Sequence, residues 1–492
     1  MVPKQQRIVF FLITLISVWF SVFPTTAISG LQQQQQDPLS ARQLLPHKTA
    51  VLSQQSESFD KISPGPILKD SDLEVELVTE GLRSPTSMAF IGNHGDMLIL
   101  EKSGEVILFI NENKSKITLM NFTVNDQTER GLLGVAVLNN ISDTQTSAAM
   151  PVRSNIQTIT TRDSSTRDAT TTTSPSISTF VFFYLTEASK EDRSQVLGNR
   201  IYRFEWNDTD KSLSNGTLIL DLPVLPGENH NGGKLIVDSE NRLLYAVIGD
   251  LNRKGTLQNF KNGSLPDDTS VIVRINPDGS PALGNPFLSV SRTAEDRYSN
   301  LSKYYAYGIR NSFGLAIDPV TGILWDTENG PSEFDEINVV RPGFNSGWTK
   351  VMGPIQRSNI TSENDLVNFL GSSSYADPVF SWGSAQGITD IEFYDSDKLG
   401  NDYTNDIFVG DANHGDLYYF EVNEDRSGLK LGHPSLSEDL IASNEEERAE
   451  VIFGTGFPSS ITDIETGPDG YLYVLTYHPT QGTISRIVPQ EQ

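Results

Sequence analysis

The sequence predicts an all-β fold, a six-bladed β-propeller, on three observations. Strand-length runs rich in aromatic and β-branched residues recur along the chain, bounded by turns of Gly, Asp, Asn and Pro. Comparable positions in six of them, Leu98, Phe182, Tyr245, Leu324, Phe408 and Tyr473, lie 84, 63, 79, 84 and 65 residues apart. That spacing is too long and uneven for a solenoid and suits blades with long connecting loops. Composition is the third: 38 Gly and 25 Pro in 492 residues suit a turn-rich β protein, and 37% hydrophobic residues supply a large core. A β-sandwich followed by a second β domain is the competing architecture.

The chain opens with Lys4 and Arg7 ahead of an apolar run at 8–23 and small residues through Gly30. Residues 1–29 read as a secretory signal peptide or, if uncleaved, a membrane anchor. The remainder is therefore expected to be extracellular, secreted or anchored to the outer face of the cell membrane. Residues 30–68, with a Gln run at 32–36, follow neither the helix nor the strand period and read as a disordered spacer. The propeller is assigned to 69–490. It starts with the alternating LEVELV at 73–78, expected to close the ring against the last strand at 483–488. Between them come strands at 97–100 and 105–109, at 180–184 paired with 200–204, at 243–247 and 270–273, and at 323–325, 406–409 and 471–474. The Ser/Thr-rich stretch 142–179 reads as an inserted, disordered surface loop.

Sixty-three acidic residues against 37 basic ones give a net charge of −26. That excludes nucleic acid as a partner, since phosphates need basic contacts. With no cysteine, disulfides, thiolate metal sites and cysteine nucleophiles are excluded as well.

The chemistry points to 227–250, GENHNGGKLIVDSENRLLYAVIGD, where His-Asn-Gly-Gly leads into two strand runs joined by a polar turn. Histidine titrates near neutrality and can take a proton from a hydroxyl. The glycines let the main chain approach a flat ligand. On these residues alone, an ordinary exposed loop histidine is the better reading of His230.

Context adds to this. Tyr305-Ala306-Tyr307-Gly308-Ile309-Arg310-Asn311, Glu328-Asn329-Gly330-Pro331, Asp335-Glu336-Ile337-Asn338, Phe344-Asn345-Ser346-Gly347-Trp348 and Glu129-Arg130-Gly131-Leu132 follow in an ordered set. Together with HNGGKL they resemble the soluble quinoprotein glucose dehydrogenases, a family with the aldose and sorbosone dehydrogenases that use pyrroloquinoline quinone (PQQ). The resemblance implies a six-bladed propeller that oxidises an aldose to its lactone with PQQ and calcium. It makes His230 the base for the anomeric hydroxyl and gives Arg310 and Asn311 the quinone oxygens, Arg310 also steadying charge on the reduced cofactor. It places Glu129 in the site wall and Trp382 beside the cofactor. It assigns the carbonyls of Gly330 and Pro331 to the calcium, a hard cation that takes oxygen ligands. Asp335 and Glu336 fall where some members hold a structural calcium; an acidic solvated turn is the alternative.

The chain departs from the family where PQQ's three carboxylates are met. Asn413 stands in place of a lysine, and Ser460-Ile461-Thr462-Asp463 in place of Arg-x-Arg-Asp. Thr476 would keep one hydrogen bond, and Lys234 and His414 are candidate substitutes for the missing charge. Two functions therefore compete. One is a PQQ-dependent sugar oxidoreductase with an unidentified electron acceptor. The other is a propeller without PQQ activity, acting as an extracellular binding module or on a different ligand.

Overall fold

The run Met97-Leu98-Ile99-Leu100 lacks polar alternation because both of its faces are buried. Leu98 and Leu100 join a cluster with Val181 and Phe183, whereas Met97 and Ile99 pack with Tyr473 and Leu475. Likewise Phe182 and Tyr184 face a different cluster from Val181 and Phe183. Strands covered on both sides by neighbouring sheets are what a radial array of blades requires.

The structure, a computed structural model, describes residues 65–92, 94–139, 179–293, 298–360 and 362–490. They form six sheets of four to six strands. The innermost strands are Pro85–Ile91, Leu132–Leu138, Leu235–Asp238, Ser312–Ile317, Ile388–Tyr394 and Ile461–Thr466. Each packs against the next, and the sixth returns to the first. The sheets are thus six blades around a channel, numbered 1 to 6 in that order, and the sandwich alternative falls. The six marker positions all lie in second strands: Asp96–Glu101, Thr179–Ala188, Leu243–Ile248, Leu324–Glu328, Asp406–Asp411 and Leu472–Thr476. Leu73–Leu82 closes the ring as expected, antiparallel to Gly482–Pro489 with Glu76 opposite Arg486. Those two side chains form an ion pair at 2.8 Å.

Two boundaries differ from the sequence reading. Ile67–Leu68, assigned to the spacer, pairs with Thr455 and Gly454 at the edge of blade 5, because an open edge strand accepts any extended partner. Thr179, the last residue of the assigned insertion, already begins a strand. The signal or anchor (1–29), the spacer through residue 64 and the insertion through residue 178 lie outside the described residues. No helix among the described residues is long and apolar enough to cross a membrane.

The channel is bridged from within. Lys234, at the head of blade 3, reaches Asp390 of blade 5 at 2.7 Å and Asp463 of blade 6 at 2.6 Å. Asp463 also accepts the N–H of Met88 in blade 1 at 2.5 Å. One lysine thus ties four blades together, and its neighbours hold it well above the usual lysine range despite burial. Beyond it lies a cavity of about 210 Å³ lined in part by Glu392 and Glu465. Burial, with Asp390 beside it, pushes Glu392 up to about 8. The folded state therefore keeps a proton that the unfolded chain releases near pH 4.5, so Glu392 favours unfolding increasingly as pH rises from about 4.5 to 8. Replacing Glu392 with Gln should leave the melting temperature near wild type at pH 5 and raise it relative to wild type by pH 8, as read by calorimetry. A difference that does not change with pH would contradict this.

Candidate active site

In an antiparallel blade, the residues entering the first strand and those leaving the second emerge on one face. Glu129, His230 and Arg310-Asn311 precede inner strands, Asp250 follows a second strand, and Glu328–Pro331 ends and follows another, so all five segments gather on that face.

His230 has φ of 63°, held by its anchors. Its backbone N–H donates to Glu129 Oε2 at 2.6 Å, and the same oxygen accepts the Asn311 side-chain N–H at 3.0 Å. Asn311 Oδ1 accepts from the N–H of Gly232 at 3.3 Å. Glu129 and Asn311 together clamp the His-Asn-Gly-Gly loop, which leaves Asn311 one amide hydrogen for a ligand.

The imidazole Nδ1 lies 2.6 Å from Asp250 Oδ1. That oxygen also accepts the N–H of Asn252 at 2.8 Å, and Oδ2 accepts the indole N–H of Trp348 at 2.7 Å. A carboxylate with two fixed donors wants a third from Nδ1, so the proton sits on Nδ1 and the lone pair on Nε2. No described residue bonds Nε2. This is the arrangement of a general base oriented by an acid.

Arg310 borders the same space. Its backbone N–H donates to Glu328 Oε1 at 2.7 Å, one Nη donates to the Asn329 carbonyl at 2.7 Å, and the guanidinium lies 5.3 Å from the Trp348 ring centroid. Its Nε is buried without a partner, a donor left for an incoming acceptor. Burial pulls the guanidinium below its usual range, while Asp250, Glu328, Glu129 and Asp335 pull it back up. A second cation, Lys102, stands beside Glu129 with its Nζ 2.5 Å from the Thr128 carbonyl.

Several sequence assignments change. Trp382 is fully buried among Phe380, Tyr418 and Phe420, in the core between blades 4 and 5. The aromatic residue beside the site is Trp348. Gly232 and Gly233 serve packing: a Cβ on them would lie 2.6 Å from the Val247 carbonyl oxygen and 2.7 Å from the Leu133 Cβ. Asp335 is no free metal ligand. Its oxygens accept the backbone N–H groups of Gly330, Gln386, Gly387 and Ile388 at 2.7–3.3 Å, locking the 328–331 turn to blade 5. Thr476 is buried with its hydroxyl 2.7 Å from that of Thr483, which closes a blade 6 turn. Lys234 is spent in the channel. His414 stays near Asp411, at 3.4 Å, within a cluster that also includes Asp416. Ser460 and Thr462 turn their hydroxyls to the carbonyls of Ala412 and Pro85.

Glu336 sits in a buried acidic group that sequence spacing only half revealed. Across the strand pair it faces Glu328, and Asp326 faces Asn338. Both Asp326 oxygens and Asn338 Oδ1 are buried without partners. Burial raises Asp326 and Glu336 well above the carboxylate range and Glu328 to about 7. Among described residues no donor reaches the carbonyls of Gly330 or Pro331. The free carbonyls of Gly330 and Pro331 are the kind of oxygen a hard divalent cation takes, whereas Glu336, like Asp335, is already engaged, accepting from the N–H of Gly353 and the side-chain amide of Asn338.

The family model for glucose/sorbosone dehydrogenases matches residues 82–486. The aldose sugar dehydrogenase YliI of Escherichia coli (strain K12) is 29% identical over 285 residues, 58% of this chain and 67% of that protein. The PQQ-bound aldose sugar dehydrogenase of Streptomyces coelicolor superposes with a TM-score of 0.54 at 20% identity, covering 84% of this chain and 98% of its own. The calcium structure of the Trichoderma reesei carbohydrate-active enzyme of family AA12 does so at 0.54 and 13%, covering 88% and 100%. At these identities the two structures speak to the fold alone.

Proposed function

This chain belongs to the glucose/sorbosone dehydrogenase family, and from that premise we propose that it oxidises an aldose at the anomeric carbon to the lactone. The observation that carries the reading is the chain Trp348–Asp250–His230, which leaves Nε2 unbonded on the face where Arg310 holds an unpartnered Nε–H. His230 Nε2 takes the proton of the anomeric hydroxyl as the C1–O double bond forms. The ring carries the positive charge that then develops, and the carboxylate of Asp250, 2.6 Å from Nδ1, offsets it. Trp348 and Asn252 hold Asp250 still.

PQQ, when bound, supplies the acceptor for the hydride leaving C1. Arg310 Nε and the remaining amide hydrogen of Asn311 are the donors that would meet its quinone oxygens, so the chain fits the group at that end. At the carboxylate end the fit fails, since Asn413, Ser460 and Thr462 carry no charge. Calcium would take the carbonyls of Gly330 and Pro331. The N-terminal apolar run supports an extracytoplasmic site of action.

The missing cations favour one competing reading, a propeller that binds a saccharide without redox chemistry. Adding PQQ and calcium to the purified protein and following dye reduction with a panel of aldoses separates the two. Turnover is expected. A protein that gains neither a cofactor spectrum nor activity at high PQQ belongs to the competing reading.

A further inference from the structure

Beside the His230 site lies a cavity of about 520 Å³, a size typical of small-molecule sites (about 300–1,000 Å³). Its lining includes Lys254, Lys261, Lys350, Asn259, Phe260 and Asp365. In a protein with 26 excess negative charges, three lysines thus meet one carboxylate. Neighbouring cations are already neutralised, Arg253 by Asp267 at 2.5 Å and Lys303 by Asp268 at 3.0 Å. Lys254, Lys261 and Lys350 have no ion pair among the described residues. Lys261 donates to the Asn364 carbonyl, and Lys350 sits 4.9 Å from the Phe260 ring centroid.

One residue of the cavity is hydrogen-bonded to the candidate active site. Asn259 donates to the Trp348 carbonyl at 2.9 Å and to Asn345 Oδ1 at 2.9 Å, which fixes the cavity floor to the residue that holds Asp250. Lys350 is two residues beyond Trp348 and Lys254 four beyond Asp250, so their Cα atoms lie within about 7 and 14 Å of those anchors. A saccharide longer than one ring, with its reducing end at His230, reaches that far.

We propose that this cavity is a subsite for the anionic part of a saccharide substrate, a sugar carrying a carboxylate or a phosphate. The proposal rests on the sugar-oxidation reading and names the substrate class that reading leaves open. The apolar ring of Phe260 supplies a surface for a pyranose edge. The three ammonium groups supply positive charge in a protein that is acidic overall.

Calorimetric titration of the full chain with cellobiose and with its 6′-uronic acid tests this, since the two differ only at C6′, where a hydroxymethyl group becomes a carboxylate. Glucose and glucose 6-phosphate form a second pair that separates phosphate from carboxylate. The uronic acid is expected to bind at least about tenfold tighter than cellobiose, an advantage worth about 1.4 kcal/mol. Lys254→Gln with Lys350→Gln should abolish the difference, as should high salt, while glucose binding stays unchanged. Equal binding of both disaccharides, or a preference that survives the double substitution, overturns the proposal. So does a result in which the substitutions weaken only an anionic electron acceptor, since that would make the cavity an acceptor dock. If the lysines select the acidic sugar but no sugar is oxidised, the subsite stands and the dehydrogenase reading falls. Oxidation without acid preference removes the subsite alone.

Discussion

Replacing His230 with Gln is expected to lower kcat for aldose oxidation by about 10²–10⁴ while leaving sugar KM nearly unchanged, because the lost interaction acts on a proton in transfer. The glutamine amide can fill the ring's place, but it offers no lone pair basic enough to take a hydroxyl proton. Asp250→Asn should fall in the same range by a different route. An amide N–H facing Nδ1 favours the tautomer with the proton on Nε2, and the base becomes a donor. Trp348→Phe frees only Asp250 Oδ2, a hydrogen bond worth about 1.5–3 kcal/mol because its acceptor is charged, so its loss should be smaller, about 10–100-fold. Steady-state dye reduction at saturating PQQ and calcium ranks the three. A His230→Gln enzyme within tenfold of wild type would remove His230 from the chemistry. The order Trp348→Phe below Asp250→Asn distinguishes a positioning chain from a general loss of folding, which would affect KM and melting temperature together.

The propeller itself was legible because its signal is redundant. Six apolar second strands, all buried on both faces, repeat the same requirement, and no single misread run could hide it. The closing strand at 73–78 was legible from its own alternation, and it pairs with the last strand as expected. The site was legible only where one residue carried the signal. His230 announced itself, but Asp250 and Trp348 did not. They lie 98 residues apart, and only the fold brings Asp250 to the imidazole and Trp348 to Asp250. Asp250 closes a second strand on the same face as His230, which is the cue that could have found it. Trp382 misled because an aromatic residue in a fourth strand and one beside a ligand look alike in sequence; burial tells them apart. Lys234 was offered as a spare cation because its consumers, Asp390 and Asp463, stand 156 and 229 residues away.

The largest gain should come from restoring charge to the empty rim. Introducing Asn413→Lys, Ser460→Arg and Thr462→Arg together is expected to tighten PQQ binding by at least about 10²-fold. Each new charge-assisted hydrogen bond to a carboxylate is worth about 1.5–3 kcal/mol, and tenfold costs about 1.4. The full sum will not appear, since three neighbouring charges on one trianion are not additive. The substitutions are placed to bear the charge: Asn413 is exposed, and Ser460 and Thr462 are only partly buried. Asp411 and Asp416, both buried nearby, are satisfied by backbone N–H groups, Tyr418 and Arg448, so they offer the new cations little competition. Absorbance titration of PQQ at saturating calcium measures the change without relying on turnover. Lys102→Gln is the control. If the wild-type chain already binds PQQ tightly and Lys102→Gln is the substitution that weakens it, the carboxylates are met from blade 1 and the rim of blades 5 and 6 is not their site. If only the triple variant binds, the wild-type pocket is built for a less anionic acceptor, because a base, its orienting acid and a buried guanidinium donor are retained while the groups specific to a trianion are absent.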